Sequence, residues 1–256
     1  MSRVLVPLPD HDFDVTEVSV PWRLLRDAGH QVVFVTEAGD ESPQADRRLL
    51  DGVIFGQLGA TKQAIDFYRS LLEDANFNAP RSWESIDVSE YDALLLPGGH
   101  APRMRQYLAS ESLHQQVAKF WALDRPVAAI CHGVVVLARS IDPSTGKSVI
   151  ADAQTTCLPK YMERSAYALT AWKLGRYYRT YPMYVEDEVR SVLNDDTQQL
   201  RVGPRTLTRR GSATSNAGAF VVEDGRYVSA RWPGDAYLFA RKLVARLPAA
   251  GCGDAV

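Results

Sequence analysis

The sequence predicts an α/β protein built on a mostly parallel sheet with helices on both faces, and three observations predict this fold. Short apolar runs rich in β-branched residues alternate with helical segments, which is typical of parallel strands joined by crossover helices. The 256 residues, 46% of them hydrophobic, are enough for a substantial core. No repeat, low-complexity segment or linker divides the chain, so we expect a single domain over residues 1–248.

The first elements of the chain form a βαβ unit. RVLVPL (3–8) and QVVFVTE (31–37) are short, apolar and β-branched, as buried parallel strands are. Between them, the acidic loop PDHDFD leads into a helix predicted from about Val15 to Ala28, which Gly29 ends.

The middle of the chain continues this alternation after a less regular stretch. ADRRLLDGVIFG is predicted as a short ordered excursion, TKQAIDFYRSLLEDA as an amphipathic helix and NFNAPRSWESID as a loop. The next elements are predicted to be a strand in YDALLLPGG (91–99), a helix at 111–123, a strand in PVAAI and a helix in GVVVLARS.

The last third of the chain is predicted to close the sheet. The predicted elements are helices in KYMERSAYALTAWKL and VEDEVRSVLND, a strand in RVGPRTLTR, a hairpin about Asp224-Gly225 and a final helix in DAYLFARKLVARL. Residues 249–256 are predicted to form a flexible tail.

Charge and composition argue against several classes of protein. The 29 Lys and Arg residues nearly balance 31 Asp and Glu residues and form no basic block, so we expect no nucleic-acid partner. No apolar run approaches the roughly 20 residues that span a bilayer, and the N-terminus lacks a signal-peptide layout. We therefore expect a cytoplasmic protein without a membrane partner. Three cysteines, five histidines and no CxxC motif predict neither a disulfide framework nor a metal site, and no cofactor is expected.

The stretch AAICHGVVV contains the strongest candidate for chemistry. The strand passes into the helix almost without a loop, so Cys131 is predicted to lie on a strained elbow, with Gly133 allowing close packing. A cysteine at a helix N-terminus feels the positive end of the helix dipole, which predicts a lowered thiol pKa. From this stretch alone, a buried structural cysteine is an equal alternative.

A glycine pair, Gly98-Gly99, follows the strand before this elbow. Glycines at the end of a buried strand let the backbone approach a ligand closely. An amide of this pair and the amide of His132 are therefore candidate donors to a developing oxyanion, although a plain tight turn explains the pair equally well.

Taken together, LLLPGGHAPRM, AAICHGVVVLA and VVEDGRYVSARWPGDAYLFARKLV resemble the ThiJ/PfpI superfamily. The resemblance runs from RVLVPL to the last helix and implies a flavodoxin-like three-layer sandwich, related to class I glutamine amidotransferases, that assembles as a homodimer. Small cap-like insertions at about 51–90 and 158–200 resemble the larger branch that contains glyoxalase III and related chaperones. Their aromatic residues suit either a lid or a dimer interface.

The resemblance also implies roles for individual residues. Cys131 matches the nucleophile and Glu17 matches the acid that approaches it, which predicts a protonated carboxyl with a raised pKa. His100 matches the larger branch and is expected to shape the pocket. Where some members have a second histidine this chain has Cys157, so His132 is the predicted base. Cys157 is either a packed side chain or a partner of Cys131 in a reversible disulfide.

Two questions about the site and its reaction stay open at this stage. The acid that orients His132 is not identified, with Asp152 and residues 184–196 as candidates. The resemblance implies a cofactor-independent cysteine enzyme on small carbonyl compounds, either glyoxalase III-like, converting methylglyoxal and water to lactate, or deglycase-like. The alternatives are a thiol-dependent hydrolase or hydratase of amide, peptide or isonitrile substrates, and a stress chaperone or cysteine redox sensor.

Overall fold

The computed structural model describes residues 1–54, 58–179 and 181–249, and seven of its strands form one sheet. The strands are β1 (Arg3–Pro7), β2 (His11–Phe13), β3 (Gln31–Thr36), β4 (Gln44–Ala45), β5 (Arg81–Ser82), β6 (Ala93–Leu96), β7 (Val127–Ile130), β8 (Val221–Asp224) and β9 (Tyr227–Ala230). The order across the sheet is β5-β3-β1-β6-β7-β9-β8, in which only β8 is antiparallel to its neighbour. Strands β2 and β4 pair in a separate small sheet.

Helices cover both faces of the sheet. They are α1 (Val15–Asp27), α2 (Arg47–Asp51), α3 (Lys62–Leu71), α4 (Ala75–Asn78), α5 (Arg105–Leu108), α6 (Glu111–Trp121), α7 (Gly133–Arg139), α8 (Lys160–Leu174), α9 (Val185–Val192), α10 (Asp196–Gln199) and α11 (Ala236–Val244). One layer contains α1, α3 and α11, and the other contains α5, α6, α7 and α9. The predicted flavodoxin-like three-layer sandwich is confirmed, because the central parallel strands follow the flavodoxin order. Within the described ranges, no helix has both the length and the apolar character to cross a membrane.

The core forms around the three central strands, β1, β6 and β7. Their apolar runs are buried on both faces, so side chains such as Val4, Leu94 and Ala128 are at most 1% exposed. This explains why these strands read as continuous apolar stretches rather than as an alternating pattern. The parallel register aligns Leu96 of β6 with Ala129 of β7, so the carboxyl ends of both strands lie side by side.

The first insertion contributes largely to the core. Tyr68, Phe77 and Trp83 are at most 6% exposed, and the Phe77 ring makes edge contacts with the rings of Phe13 and Phe34. These aromatics therefore stabilise the fold rather than form a lid. The segment NFNAPRSWESID, predicted as a loop, contains the short helix α4 and the edge strand β5.

The strand predicted in RVGPRTLTR is wrong, because residues 201–209 form an irregular loop. A side chain holds this loop in place of the hydrogen bonds between paired strands. The buried Arg231 guanidinium donates to the carbonyl of Pro204 in the loop and to the carbonyl of Gly218 beyond it. The same guanidinium forms a fully buried ion pair with Asp235, at 2.9 Å from Nε to Oδ2. The hairpin about Asp224-Gly225 and the final helix are confirmed. Of the predicted tail at 249–256, all but residue 249 lies outside the described residues.

Candidate active site

The turn between β7 and α7 is the elbow that the sequence predicts. Cys131 has a φ of +59°, a left-handed conformation that L-residues other than glycine rarely adopt. Its amide donates to the Ala230 carbonyl of β9 at 3.0 Å, which fixes the turn at the end of the sheet. A conformation of this kind costs about 1–3 kcal/mol and is typical of functional sites. The geometry confirms the strained turn. The role of Cys131 as a nucleophile stays a prediction.

Glycines bring the neighbouring strand against this elbow. A Cβ added to Gly133 would lie 2.1 Å from the Leu96 carbonyl oxygen, so no other residue fits there without displacing backbone. A Cβ on Gly98 would lie 2.7 Å from the His132 amide nitrogen and 2.9 Å from Glu17 Oε2. The glycine pair is therefore more than a tight turn, since it allows the loop after β6 to contact both Glu17 and the elbow.

Glu17 lies in the first turn of α1 and is fully buried. Its Oε2 accepts a hydrogen bond from the Gly98 amide at 2.8 Å, while its Oε1 has no hydrogen-bond partner among the described residues. Burial raises the pKa of Glu17 well above its usual value, and the nearby Asp14 carboxyl adds to the increase. The direction of this shift agrees with the raised pKa that the sequence predicts for Glu17.

Asp14 is a buried acid of this region that sequence reasoning missed. It caps α1, because its Oδ1 accepts from the amides of Thr16 and Glu17 at 2.8 and 3.1 Å. Burial raises its pKa to about 6 despite these hydrogen bonds. The aspartate just before the helix was a recognisable capping signal, but its burial depends on tertiary packing.

Asp14→Asn is expected to make the protein more stable above pH 6, by up to about 3 kcal/mol. The raised pKa means that between pH 4 and 6 the folded protein keeps a proton that the unfolded chain has lost. Wild-type stability therefore falls as the pH rises through that window, and asparagine, an equally good helix cap, removes this loss. Urea unfolding of both proteins from pH 4 to 8 measures the difference.

Asp87 provides the matched control, since it caps a short 3-10 turn at the surface. Hydrogen bonds from Ser89 lower the pKa of Asp87, so its carboxylate adds stability above its unfolded pKa. The variant Asp87→Asn should therefore lose stability relative to wild type as the pH rises, the opposite of Asp14→Asn. A pH-independent difference for Asp14→Asn would contradict the raised pKa.

The predicted lowering of the Cys131 pKa by the helix dipole is wrong for this closed site. Burial raises the pKa of the thiol, and the negative charge of an ionised Glu17 would raise it further. A hydrogen bond from the His132 amide to the sulfur acts in the opposite direction but is outweighed. A helix N-terminus stabilises a nearby negative charge by only about 0.3–1 kcal/mol at ordinary sites, so desolvation has the larger effect on the thiol pKa. Cys131 therefore rests as a thiol.

His132 and His100 lie beside the sulfur. His132 Nδ1 is 3.6 Å from Cys131 Sγ, and the two imidazole rings contact each other edge to face with centroids 4.6 Å apart. Burial lowers the pKa of both rings, to about 4 for His100, and the positive charge of Arg139 lowers the pKa of His132 further. Both imidazoles are neutral at pH 7.

Neither candidate for the acid that orients His132 contacts its ring. Asp152 is exposed and accepts from Asn194, whereas Glu188, from the 184–196 segment, pairs with Arg139 at 2.6 Å. No carboxylate of residues 1–54, 58–179 or 181–249 accepts a hydrogen bond from His132. These acids instead stabilise the surrounding helices.

The backbone donors near the elbow have distinct partners. The Gly98 amide is already used by Glu17, so Gly98 positions the carboxyl. The Gly99 and His132 amides remain the predicted oxyanion donors, and this role stays a prediction. Cys157 also stays open as a redox partner: it is buried, its thiol faces the Leu158 carbonyl at 3.9 Å, and both cysteines are free thiols.

Aromatic side chains close the site from solvent. Cys131 is 0% and His132 2% exposed, and the ring of Tyr178, itself 6% exposed, contacts the half-buried His100 at 5.8 Å. The adjacent Tyr177 ring borders a polar cavity of about 400 Å³. The residues that line this cavity are Asp12, Asp46, Arg47, Arg48, Asp51, Gly52, Arg103 and Tyr177. Tyr178, from the predicted insertion at about 158–200, thus contacts His100 beside the elbow.

The comparison with known sequences now decides the family. The sequence pattern described as ThiJ/PfpI family-like matches residues 8–204 of this chain. The chain belongs to the ThiJ/PfpI family. An uncharacterised ThiJ/PfpI relative from Schizosaccharomyces pombe is 30% identical over 187 residues, covering 70% of this chain and 67% of that protein. A deglycase of Pyrococcus abyssi is 26% identical over 243 residues, covering 94% of this chain and 97% of the deglycase.

Solved structures show the same fold across nearly the whole ThiJ/PfpI chain. Glyoxalase III of Candida albicans superposes with a TM-score of 0.65 and covers 96% of this chain and 98% of its own. The sequences are 17% identical, so this likeness shows the fold alone. It agrees with the predicted layout of the larger ThiJ/PfpI branch, while the two insertions at about 51–90 and 158–200 stay a prediction.

Proposed function

We propose that this ThiJ/PfpI protein is a cofactor-independent cysteine enzyme acting on small reactive carbonyl compounds, with glyoxalase III-like chemistry. The observation that carries the proposal is the fully buried Glu17 carboxyl, whose pKa burial raises, beside the strained Cys131 thiol in a closed site. The substrate would be methylglyoxal or a similar small dicarbonyl, and the product lactate or the corresponding hydroxy acid. The name of the Pyrococcus abyssi relative, a deglycase, supports carbonyl chemistry in this family.

The reaction begins with the addition of Cys131 across the aldehyde. Sulfur bonds to the aldehyde carbon and the thiol proton passes to the aldehyde oxygen, which gives a hemithioacetal. We expect the amides of Gly99 and His132 to stabilise the negative charge that develops on this oxygen.

A proton then moves between the two carbons of the adduct. Neutral His132 removes the proton from the former aldehyde carbon while Glu17 protonates the ketone oxygen, which gives an enediol. His132 then gives its proton to the former ketone carbon, and the hydroxyl on the former aldehyde carbon gives its proton to the Glu17 carboxylate, which leaves a thioester of lactate. Water hydrolyses this thioester, releases lactate and restores the thiol. The overall reaction therefore converts methylglyoxal and water to lactate.

The lowered pKa of His132 and its lack of a carboxylate partner among the described residues favour this chemistry over amide hydrolysis. A thiol hydrolase needs a base that draws the proton from sulfur. A carboxylate commonly orients that base and stabilises its protonated form. Here no carboxylate in the described part of the chain hydrogen-bonds the His132 ring, and burial lowers the His132 pKa, with smaller contributions from His100 and Arg139. A reactive aldehyde needs less activation of the nucleophile than an amide does. The exclusion of water from the elbow also protects an enediol.

The proposal is tested by incubating the purified protein with methylglyoxal in the absence of glutathione. We expect lactate of one enantiomer to accumulate over many turnovers, because the closed site presents one face of the enediol to the returning proton. Enantiomer-specific lactate dehydrogenases measure the product.

Alkylation of the thiol provides the control. Protein treated with iodoacetamide until mass spectrometry shows modified Cys131 should produce lactate no faster than buffer. Lactate formation that survives complete alkylation would contradict the proposal, and so would an absence of lactate from the untreated protein. Release of amine from methylglyoxal-treated N-acetylarginine, measured beside lactate, distinguishes a deglycase from a glyoxalase.

A further inference from the structure

Three side chains that commonly bind metals meet at the elbow. One imidazole nitrogen from each of His100 and His132 and the Sγ atom of Cys131 lie within 4.8 Å of one another. In the described part of the chain this is the one group of three histidine, cysteine or acidic side chains with that spacing. Two of the three residues adjoin in sequence, whereas the third comes from the loop after β6, so no sequence motif indicates the group.

The spacing agrees with tetrahedral coordination of zinc. With Zn–S near 2.3 Å and Zn–N near 2.0–2.1 Å, a tetrahedral edge between sulfur and nitrogen measures about 3.5 Å. The distance from Cys131 Sγ to His132 Nδ1 is 3.6 Å. The ligand atoms are at most 4.8 Å apart, so the third one needs a shift of no more than about 1.5 Å to meet the same geometry. His100 is the half-buried member of the group and lies on a loop.

The surroundings suit a bound cation. Glu17 Oε1 is a buried oxygen without a hydrogen-bond partner among the described residues, and Glu17 interacts directly with the Cys131 thiol. This oxygen can hydrogen-bond with a water molecule in the fourth position of the ion. The thiolate and imidazole ligands together favour Zn²⁺ over the hard cations Mg²⁺ and Ca²⁺, which prefer oxygen.

We propose that His100, Cys131 and His132 bind one Zn²⁺ ion, which caps the Cys131 sulfur and holds the protein inactive until the metal is removed. The thiol releases its proton to solvent as the Zn–S bond forms, and a chelator reverses the step by returning the proton to sulfur. Binding of the ion is independent of the reaction catalysed, whereas the inhibitory consequence rests on the proposed function.

Cobalt is a spectroscopic probe for this site. Metal-free protein titrated with Co²⁺ should develop a thiolate-to-metal charge-transfer band that saturates at one equivalent, and Zn²⁺ should then abolish it. One equivalent of Zn²⁺ should also slow alkylation of Cys131 by iodoacetamide by about tenfold or more, because the metal-bound sulfur is a weaker nucleophile.

Variants separate this site from other metal-binding groups. Cys131→Ser should remove the charge-transfer band, and His100→Ala should weaken Zn²⁺ binding by about 100-fold or more. His114→Ala is the matched control, because His114 lies on α6 and its Nε2 contacts the Leu108 carbonyl at 3.0 Å, away from the elbow. It should bind Zn²⁺ as wild type does. Circular dichroism shows whether each variant is folded.

Each result bears on one part of the proposal. Equal Zn²⁺ affinity in wild type and folded His100→Ala would overturn the site, as would a protein with no Co²⁺ band. In wild type, one equivalent of Zn²⁺ should suppress lactate formation and a chelator should restore it. Unchanged turnover with the metal bound would overturn the inhibitory role. A protein that binds Zn²⁺ through the three residues but never forms lactate would confirm the site and count against the proposed function instead.

Discussion

Cys131→Ser is expected to lower methylglyoxal turnover by about 10⁴-fold, a loss typical of removing a nucleophile. Serine keeps the size of the side chain but has a hydroxyl with a far higher pKa than a thiol. Among the described residues no group compensates, because no carboxylate hydrogen-bonds His132 to help it draw the proton from a hydroxyl. Lactate formation at saturating methylglyoxal, compared with wild type at the same protein concentration, measures the loss.

Cys157→Ser provides the matched control for this experiment. Cys157 is as buried as Cys131, but its thiol faces the Leu158 carbonyl, so serine there tests the effect of the substitution itself. We expect this variant to retain turnover within about threefold of wild type, the range of an indirect effect. If Cys131→Ser kept more than a tenth of the wild-type rate, Cys131 would not be the nucleophile.

Gly133→Ala is expected to destabilise the protein by about 4 kcal/mol or more, at the upper end of single substitutions. The new Cβ would lie 2.1 Å from the Leu96 carbonyl oxygen and 2.8 Å from that of Pro97. Both atoms belong to the backbone of the central sheet and its following loop, so no side chain can rotate to relieve the clash. The shift of the urea unfolding midpoint, combined with the slope of the transition, measures the free energy of unfolding.

Gly146→Ala separates this clash from the general cost of replacing a glycine. Gly146 lies in an exposed turn with a φ of +69°, and a Cβ there would have no atom within 4 Å. Alanine at this position should cost only the strain of its left-handed backbone, about 1–2 kcal/mol. Equal losses for the two variants would show that the approach of Leu96 to the elbow is not tight.

The sequence was sufficient to predict the sheet and the elbow, since both depend on local patterns. Continuous apolar runs indicated strands buried on both faces, and an abrupt strand-to-helix junction followed by glycine indicated the turn at Cys131. The resemblance then identified Glu17, which the structure brings next to the thiol. Each of these predictions needed only short segments and their order along the chain.

The features that sequence reasoning missed depend on contacts between distant segments. The loop at 201–209 looked like a strand, but its Pro204 carbonyl accepts a hydrogen bond from Arg231, a side chain that carries no local signal of its partner. The pKa of Cys131 was predicted in the wrong direction because the elbow is buried among segments distant in sequence, such as the loop at Gly98 and the first turn of α1 at Glu17. The homodimer predicted from the resemblance stays a prediction.

The left-handed backbone at Cys131 has a consequence for how this protein responds to selection. Glycine at this position would relieve the strain, so a laboratory screen for heat resistance alone would favour losing the thiol. If cysteine is nevertheless retained at this position, selection for its chemistry must outweigh selection for thermal stability. Substitutions intended to raise thermal stability should therefore be made elsewhere in the sandwich, with the elbow left unchanged.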